Sequence, residues 1–153
     1  MILFPHMLIG AAIGAKIHSL TAVFILSVIS HFIADKLPHW EYIDKQLTEF
    51  KSKKEWLVFL IKVLLDFSLG LLILFYFFWQ SPIWSAVALG ALASILPDFL
   101  ILLNCLFPKI KILESYRNFH HQSHLKGGRD KIFLSFFSEA LVVLLMIYLI
   151  ATG

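Results

Sequence analysis

The stretch from residue 56 to residue 79 reads WLVFLIKVLLDFSLGLLILFYFFW. Apart from Lys62 and Asp66 it is almost wholly apolar, and it is longer than the ~20 residues that a helix needs to cross the hydrocarbon core of a bilayer. It therefore predicts a membrane-spanning helix. Two other apolar runs of similar length, at 83–107 and 132–152, predict two more spans.

The N-terminal third of the chain is less regular. It predicts a short helix over Ile2–Ile17, followed by a fourth spanning helix over Leu20–Leu37. Beyond these, residues 40–50 place Ile43 and Leu47 at helical spacing with charged residues between them. This pattern is typical of an amphipathic helix that lies in the membrane interface.

Composition agrees with a membrane protein. Hydrophobic residues make up 59% of the 153 residues and mean hydropathy is +0.84, whereas soluble domains contain roughly 45–50% apolar residues. Gly10 and Gly14 form a small-residue face on the first predicted helix, and Ala86, Gly90 and Ser94 form one on the fourth. Such faces let helix backbones approach closely. We expect one integral membrane domain over residues 1–153, an all-α polytopic bundle of four spanning helices, a short N-terminal helix and an interfacial amphipathic helix.

The charges predict an orientation. A net charge of +3 and a pI of about 9.0 would suggest a nucleic-acid partner for a soluble protein, but here the basic residues fall mainly in two loops between apolar runs. The positive-inside rule explains this, so we expect membrane lipid as a partner and no nucleic acid. Loops 38–55 and 108–131 should be cytoplasmic, and the C-terminus should lie outside.

The N-terminus and the cysteine content add little chemistry. Residues 1–7 contain no Lys or Arg and lead directly into an apolar segment, so we expect no cleaved signal peptide. Cys105 is the single cysteine and cannot form an internal disulfide.

The polar residues inside this apolar chain are richest between Ser30 and His39. His31 and Asp35 are four residues apart and would share a helix face, and His39 follows one turn later. This is metal-ligand spacing. Because ionisable groups in hydrocarbon are costly unless paired, the segment predicts a functional site that binds a divalent metal.

Four predicted spans carry an ionisable group at similar depth from the cytoplasmic side, and His6 lies nearer to that surface. The depth-matched residues are His31, Asp66, Asp98 and Glu139. Structural alternatives remain for three of them. Lys62 can form an intrahelical ion pair with Asp66, Asp98 can serve local hydrogen bonding beside Pro97, and Glu139 can face a water-filled gap or Arg117.

A further histidine cluster lies in the second basic loop. His120, His121 and His124 are spaced so that two imidazoles can turn toward one ion. At the same membrane face as the carboxylates, they become candidate ligands or proton donors.

These motifs together resemble the YdjM-like family of small inner-membrane proteins described as metal-dependent hydrolases. Pro5-His6-Met7-Leu8-Ile9-Gly10 is similar to the N-terminal H-x-x-x-G of that family. Ser30-His31-Phe32-Ile33-Ala34-Asp35 is similar to its S-H-x-x-x-D, Leu96-Pro97-Asp98 to its P-D element, and His120-His121-Gln122-Ser123-His124 to its histidine-rich loop. The resemblance implies an inner-membrane location and a metal site.

The expected function is hydrolysis of an ester or phosphoester, borne by a lipid, at the cytoplasmic leaflet. The site would hold one or two divalent ions. Mixed imidazole and carboxylate ligands suit Zn first, with Mn or Fe as alternatives, and a bound ion would activate a water. The expected metal ligands are His6, His31, Asp35, His39, Asp98 and His120. Asp66 or Glu139 would be the general base, His121 or His124 the general acid, and Arg117, Lys126 and Arg129 the phosphate-binding residues.

Two other functions remain open. A transport protein for ions, protons or metals would also place acids and histidines in several helices, although the outer halves of the long helices contain little beyond apolar and small residues. A membrane scaffold would use the polar residues only to fasten helices together. Metal analysis separates the scaffold from the other two.

Overall fold

The computed structural model describes residues 2–39, 52–123 and 132–152, and over these ranges the chain is helical without strands. The bounds of its helices are α1 Leu3–Lys16, α2 Leu20–Ala34, α3 Lys53–Phe78, α4 Trp84–Leu106, α5 Lys111–Ser123 and α6 Ile132–Ala151. The all-α prediction is therefore confirmed for the described part of the chain.

Three helices in the described ranges are long and apolar enough to cross a membrane: Lys53–Phe78, Trp84–Leu106 and Phe133–Ala151. The fourth predicted span is not supported by length. Helix α2 has 15 residues, which at ~1.5 Å per residue falls short of the ~30 Å hydrocarbon core. It ends at Ala34 because Asp35 and Lys36 form a turn ahead of Pro38. The predicted interfacial helix at 40–50 lies outside the described residues.

Helix α5 corrects the interpretation of residues 108–131 as a loop, which is wrong over Lys111–Ser123. The less exposed side chains of α5 are Leu113, Tyr116, Arg117 and His120. Their spacing of three and four residues defines one helix face, which packs mainly against α4. The polar composition of the segment concealed this periodicity.

Helix α1 is the centre of the fold despite its short length. It packs most extensively against α4 and also contacts α2, α3 and α6. Gly10 and Gly90 lie where the two backbones meet, and a Cβ atom on either glycine would overlap the backbone carbonyl of the other. The predicted close approach of the two small-residue faces is thus confirmed.

The apolar core surrounds the middle of α1. Met7, Leu8 and Ala11 pack there with side chains of the neighbouring helices, including Leu74 and Val87. At the N-terminal end of α1, the carboxylate of Asp66 accepts a hydrogen bond from the backbone N–H of Phe4 at 2.9 Å. A carboxylate there also interacts favourably with the helix dipole, so the contact fixes the turn of α1 that carries His6.

Candidate metal centre

Four helices bring imidazoles and carboxylates into one buried cluster. The cluster consists of His6 from α1, His31 from α2, Asp35 at the C-terminal cap of α2, Asp98 from α4 and His120 from α5. His6 and His31 have no exposed surface, and Asp35 and His120 are each 2% exposed. This cluster is named the His/Asp centre below.

Three side-chain atoms form the tightest part of the His/Asp centre. His31 Nε2 lies 3.1 Å from His120 Nε2 and 3.1 Å from Asp35 Oδ2, and His120 Nε2 lies 3.7 Å from the same carboxylate oxygen. Ligands bound to one tetrahedral Zn at ~2.0–2.1 Å are separated by about 3.3–3.4 Å. The three atoms therefore have the mutual spacing of ligands around a single ion.

A hydrogen bond on the side of the His31 ring away from the His/Asp centre fixes the tautomer of the ring. His31 Nδ1 lies 2.8 Å from the backbone carbonyl of Ser94, and since a carbonyl only accepts, Nδ1 carries the proton. In the neutral ring, Nε2 then presents a lone pair toward the centre. A ligand histidine commonly donates its second N–H to a carbonyl or carboxylate in this way, which fixes its tautomer and orientation.

A single proton among these three atoms cannot form good hydrogen bonds with all of them. If Nε2 of His31 were also protonated, its single N–H could point well toward either Asp35 or His120, but not toward both. A cation among the three atoms would interact favourably with all of them at once. The arrangement is thus able to hold a metal ion, which is the capacity that the sequence predicted.

The two oxygens of Asp35 face different histidines. His6 Nε2 lies 3.1 Å from Asp35 Oδ1 and donates its N–H to it, while Oδ2 faces His31 and His120. Asp35 also caps the C-terminus of α2, where the helix dipole disfavours a negative charge. A positive charge at this point would offset both the dipole and the cost of burying the carboxylate.

His6 stacks on His31, with ring centroids 4.3 Å apart. The Nδ1 atom of His6 is buried and has no hydrogen-bond partner among the residues that the structure describes. His6, His31 and Asp98 also offer one ligand atom each within 4.8 Å of one another. Because Nδ1 of His31 donates to the Ser94 carbonyl, only Nε2 of His31 can contribute to either set of candidate ligands. Both sets share this atom, which favours a single ion position.

Asp98 lies at the more open side of the centre. Its Oδ1 is 3.7 Å from His31 Nε2 and 3.8 Å from His120 Nε2, and its side chain is 27% exposed. A catalytic metal site keeps one position accessible, whereas a structural site is closed by protein ligands. Asp98 is the most exposed member of the His/Asp centre.

Phe32 helps to seat α5 on the centre. Its ring packs against Phe119 and His120, with centroid separations of 5.8 Å and 5.7 Å. Because neighbouring residues of a helix point about 100° apart, turning His120 inward leaves His121 exposed.

The remaining predicted site residues are not members of the two ligand sets found among the described residues. His39 is buried, and its Nδ1 donates to the carbonyl of Leu37 at 2.7 Å. Asp66 and Glu139 are each 8% exposed, and Arg117 is half-buried on α5. The predictions for His124, Lys126 and Arg129 fall outside the described residues.

The structure adds two participants that the sequence interpretation missed. One is the Ser94 carbonyl, since no side-chain pattern reports which backbone oxygen faces a histidine. The other is Tyr116, whose ring lies 6.2 Å from that of His120. Tyr116 lies one helical turn before His120, so helical spacing on α5 places the two side chains next to each other.

The electrostatic environment of Tyr116 connects it to the centre. Burial, together with the negative charges of Asp98 and Asp35, raises the pKa of Tyr116 to about 12. The phenol therefore stays protonated at neutral pH and can act as a hydrogen-bond donor.

Comparison of the chain with protein-family models, with curated proteins and with solved structures gave no match.

Proposed function

We propose that this protein is a membrane-embedded hydrolase that uses one divalent metal ion at the His/Asp centre to cleave an ester or phosphoester borne by a lipid. The observation that carries the proposal is the position of His31 Nε2, which lies 3.1 Å from both His120 Nε2 and Asp35 Oδ2 while Nδ1 donates to Ser94. The resemblance to the YdjM-like family supports the same conclusion.

The proposed ligands are His31, Asp35 and His120, with Asp98 at the open side. His6 orients Asp35 through its N–H. Two carboxylates and a divalent ion sum to zero charge, which suits a buried centre. We expect Zn for this mixture of imidazole and carboxylate, with Mn or Fe as the other ions that it fits.

When bound, the metal would supply a water of lowered pKa and polarise the substrate. Asp98 would orient that water; its short distance to His31 Nε2 and its partial exposure support this role. Asp66 already accepts from the Phe4 backbone, which suits a structural role, and Glu139 remains the other proposed general base. His121 and His124 remain the proposed general acids, and Arg117, Lys126 and Arg129 the proposed phosphate-binding residues.

Two observations support a lipid-borne substrate. Three helices are long and apolar enough to cross a membrane, and the exposed surface of α5, which contributes His120, mixes apolar Ile112 and Phe119 with charged Lys111 and Glu114. Under the proposed orientation, with the basic loops in the cytoplasm and the site in the inner membrane, the open side would meet the cytoplasmic headgroups.

Transport is the alternative use of such a centre. The buried residues of α3 argue against a continuous polar path, since Asp66 is followed on the same face by Gly70, Leu74 and Phe78. Leu74 and Phe78 belong to the apolar core. This arrangement favours a site that is closed by apolar residues over a polar pathway through the bilayer.

The first experiment measures metal. The purified protein in mild detergent should contain about one divalent ion per chain, as determined by elemental analysis, and His31→Ala and Asp35→Ala should lose it. His18→Ala is the matched control, because His18 is exposed and distant in sequence from the centre. Equally low metal in the parent and in both variants would eliminate the proposal.

The second experiment measures turnover. The metal-loaded protein is incubated with a panel of phospholipids and soluble phosphoesters, with and without a chelator. Hydrolysis that the chelator abolishes and that His31→Ala lacks is the expected result. Metal binding without any turnover, combined with metal flux into proteoliposomes, would instead identify a transporter.

A further inference from the structure

We propose that the hydroxyl group of Tyr116 forms a subsite beside the His/Asp centre that binds a phosphoryl oxygen of the substrate. This inference rests on the proposed function and extends it by assigning a residue to substrate recognition. Tyr116 belongs to none of the motifs that indicated the site.

The first support is an unmet hydrogen-bonding group. The hydroxyl oxygen of Tyr116 is buried and has no hydrogen-bond partner among the residues that the structure describes. Leaving a buried polar group unsatisfied is destabilising, so most such groups are paired. A hydroxyl kept in this state beside a reactive centre is suited to a partner that arrives with the substrate.

The second support is position. Tyr116 is one turn before His120 on the same face of α5, and the two rings have centroids 6.2 Å apart. The Tyr116 ring is therefore beside the ring of one proposed ligand, on the helix that contributes that ligand.

The third support is the chemistry of the neighbouring groups. Carboxylates and ligand imidazoles line the centre, so a bound phosphoryl group would meet few hydrogen-bond donors there. A protonated phenol supplies one donor without adding charge, and a hydrogen bond to an anionic oxygen is stronger than one to a neutral acceptor. The metal and Tyr116 would then bind two different oxygens of the same phosphoryl group.

The test compares two probes that share a phosphoryl group. Inorganic phosphate represents a free anion, and octyl phosphate represents a headgroup attached to an alkyl chain. Binding of each to the zinc-loaded protein is measured by calorimetry in detergent. Tyr116→Phe should weaken binding by about tenfold, the expected effect of losing one charge-assisted hydrogen bond.

Matched controls remove a phenol elsewhere. Tyr76 and Tyr148 are 84% and 64% exposed, so Tyr76→Phe and Tyr148→Phe should bind both probes as the parent does. Zinc content is measured for every variant and should be unchanged in Tyr116→Phe, because Tyr116 is not a proposed ligand. Equal zinc content also shows that the variant retains the folded centre.

The outcomes separate this inference from the proposed function. Weaker binding of both probes supports a general phosphoryl subsite, and weaker binding of octyl phosphate alone supports one specific for a lipid-borne group. Unchanged binding of both probes by Tyr116→Phe, or no binding by the zinc-loaded parent, overturns the subsite while leaving the metal centre intact. Absence of zinc, manganese and iron alike from the parent refutes the proposed function itself.

Discussion

The His/Asp centre depends on His31, because each of its two ring nitrogens makes a specific contact. Nδ1 donates to the Ser94 carbonyl, so the helix that carries Pro97 and Asp98 also fixes the ring of a histidine on α2. Nε2 is then directed toward Asp35 and His120. One backbone oxygen thus sets the tautomer and the direction of the central proposed ligand.

A comparison of His6 with His31 tests which histidine binds the metal directly. His6→Ala removes the N–H that orients Asp35 Oδ1, and losing such an orienting group should lower metal affinity about 10–100-fold. His31→Ala removes a direct ligand and should abolish stoichiometric binding. Affinity is measured by competition with a metal indicator of known strength, with His18→Ala as the reference variant.

A loss in His6→Ala as complete as that in His31→Ala would show that His6 is itself a ligand. The second ligand set, which joins His6 and His31 with Asp98, would then be the one that holds the ion.

At the scale of the elements, the contact between α1 and α4 determines where two parts of the centre lie. Helix α1 carries His6 and α4 carries Asp98, and the two backbones meet at Gly10 and Gly90. Because neither position has room for a Cβ atom, the separation of the helices is set by backbone contact rather than by adaptable side chains.

Substitution of Gly90 should therefore disturb both stability and the centre. In Gly90→Ala the new methyl group would meet the backbone carbonyl of Gly10, and we expect a loss of about 1–3 kcal/mol, the usual range for overpacking. The measurement is unfolding by denaturant in mixed micelles, followed by zinc content.

Gly70→Ala is the matched control for this substitution. Its new methyl group would meet the Sδ and Cε atoms of Met7 at 2.6 Å and 2.9 Å, and these belong to the flexible end of a side chain that can move aside. We expect a smaller loss of stability than in Gly90→Ala. The opposite order would contradict the view that backbone contact sets the distance between α1 and α4.

At the scale of the whole molecule, the His/Asp centre connects helices that differ in how many other helices they pack against. Helix α1 is surrounded by four other helices, whereas α5 packs mainly on α4. His120 and Phe32 connect α5 to the centre and to α2. A bound ion would therefore add proportionally more to the attachment of α5 than to that of α1.

Metal removal should consequently loosen α5 selectively. Hydrogen exchange is compared between the zinc-loaded and chelated protein in detergent, and α5 amides should lose protection while α1 and α4 amides change little. His120→Ala should show the exposed pattern even in the presence of zinc. Uniform loss of protection across all helices would indicate instead that the ion stabilises the whole bundle.

Local periodicity was sufficient to predict much of this protein. The three long apolar runs predicted helices that the structure contains, with bounds differing by three residues or fewer, because hydrophobic length is a property of consecutive residues. The shared face of His31 and Asp35 and the small faces at Gly10 and Gly90 followed equally from helical spacing. The length of α2 and the helical nature of α5 were not predicted, because turn residues and a polar composition obscured them.

The sequence by itself thus determined an apolar helical chain with potential ligands at helical spacing. Tertiary structure alone decided which ligands meet: it turned His120 toward Asp35 and left His121 exposed, directed His31 Nδ1 to the Ser94 carbonyl, and placed Asp66 against the Phe4 backbone. The physical reason is that helical spacing fixes the neighbours of a residue within one helix. Contacts between residues as distant as His31 and His120 depend on which faces of separate helices pack together.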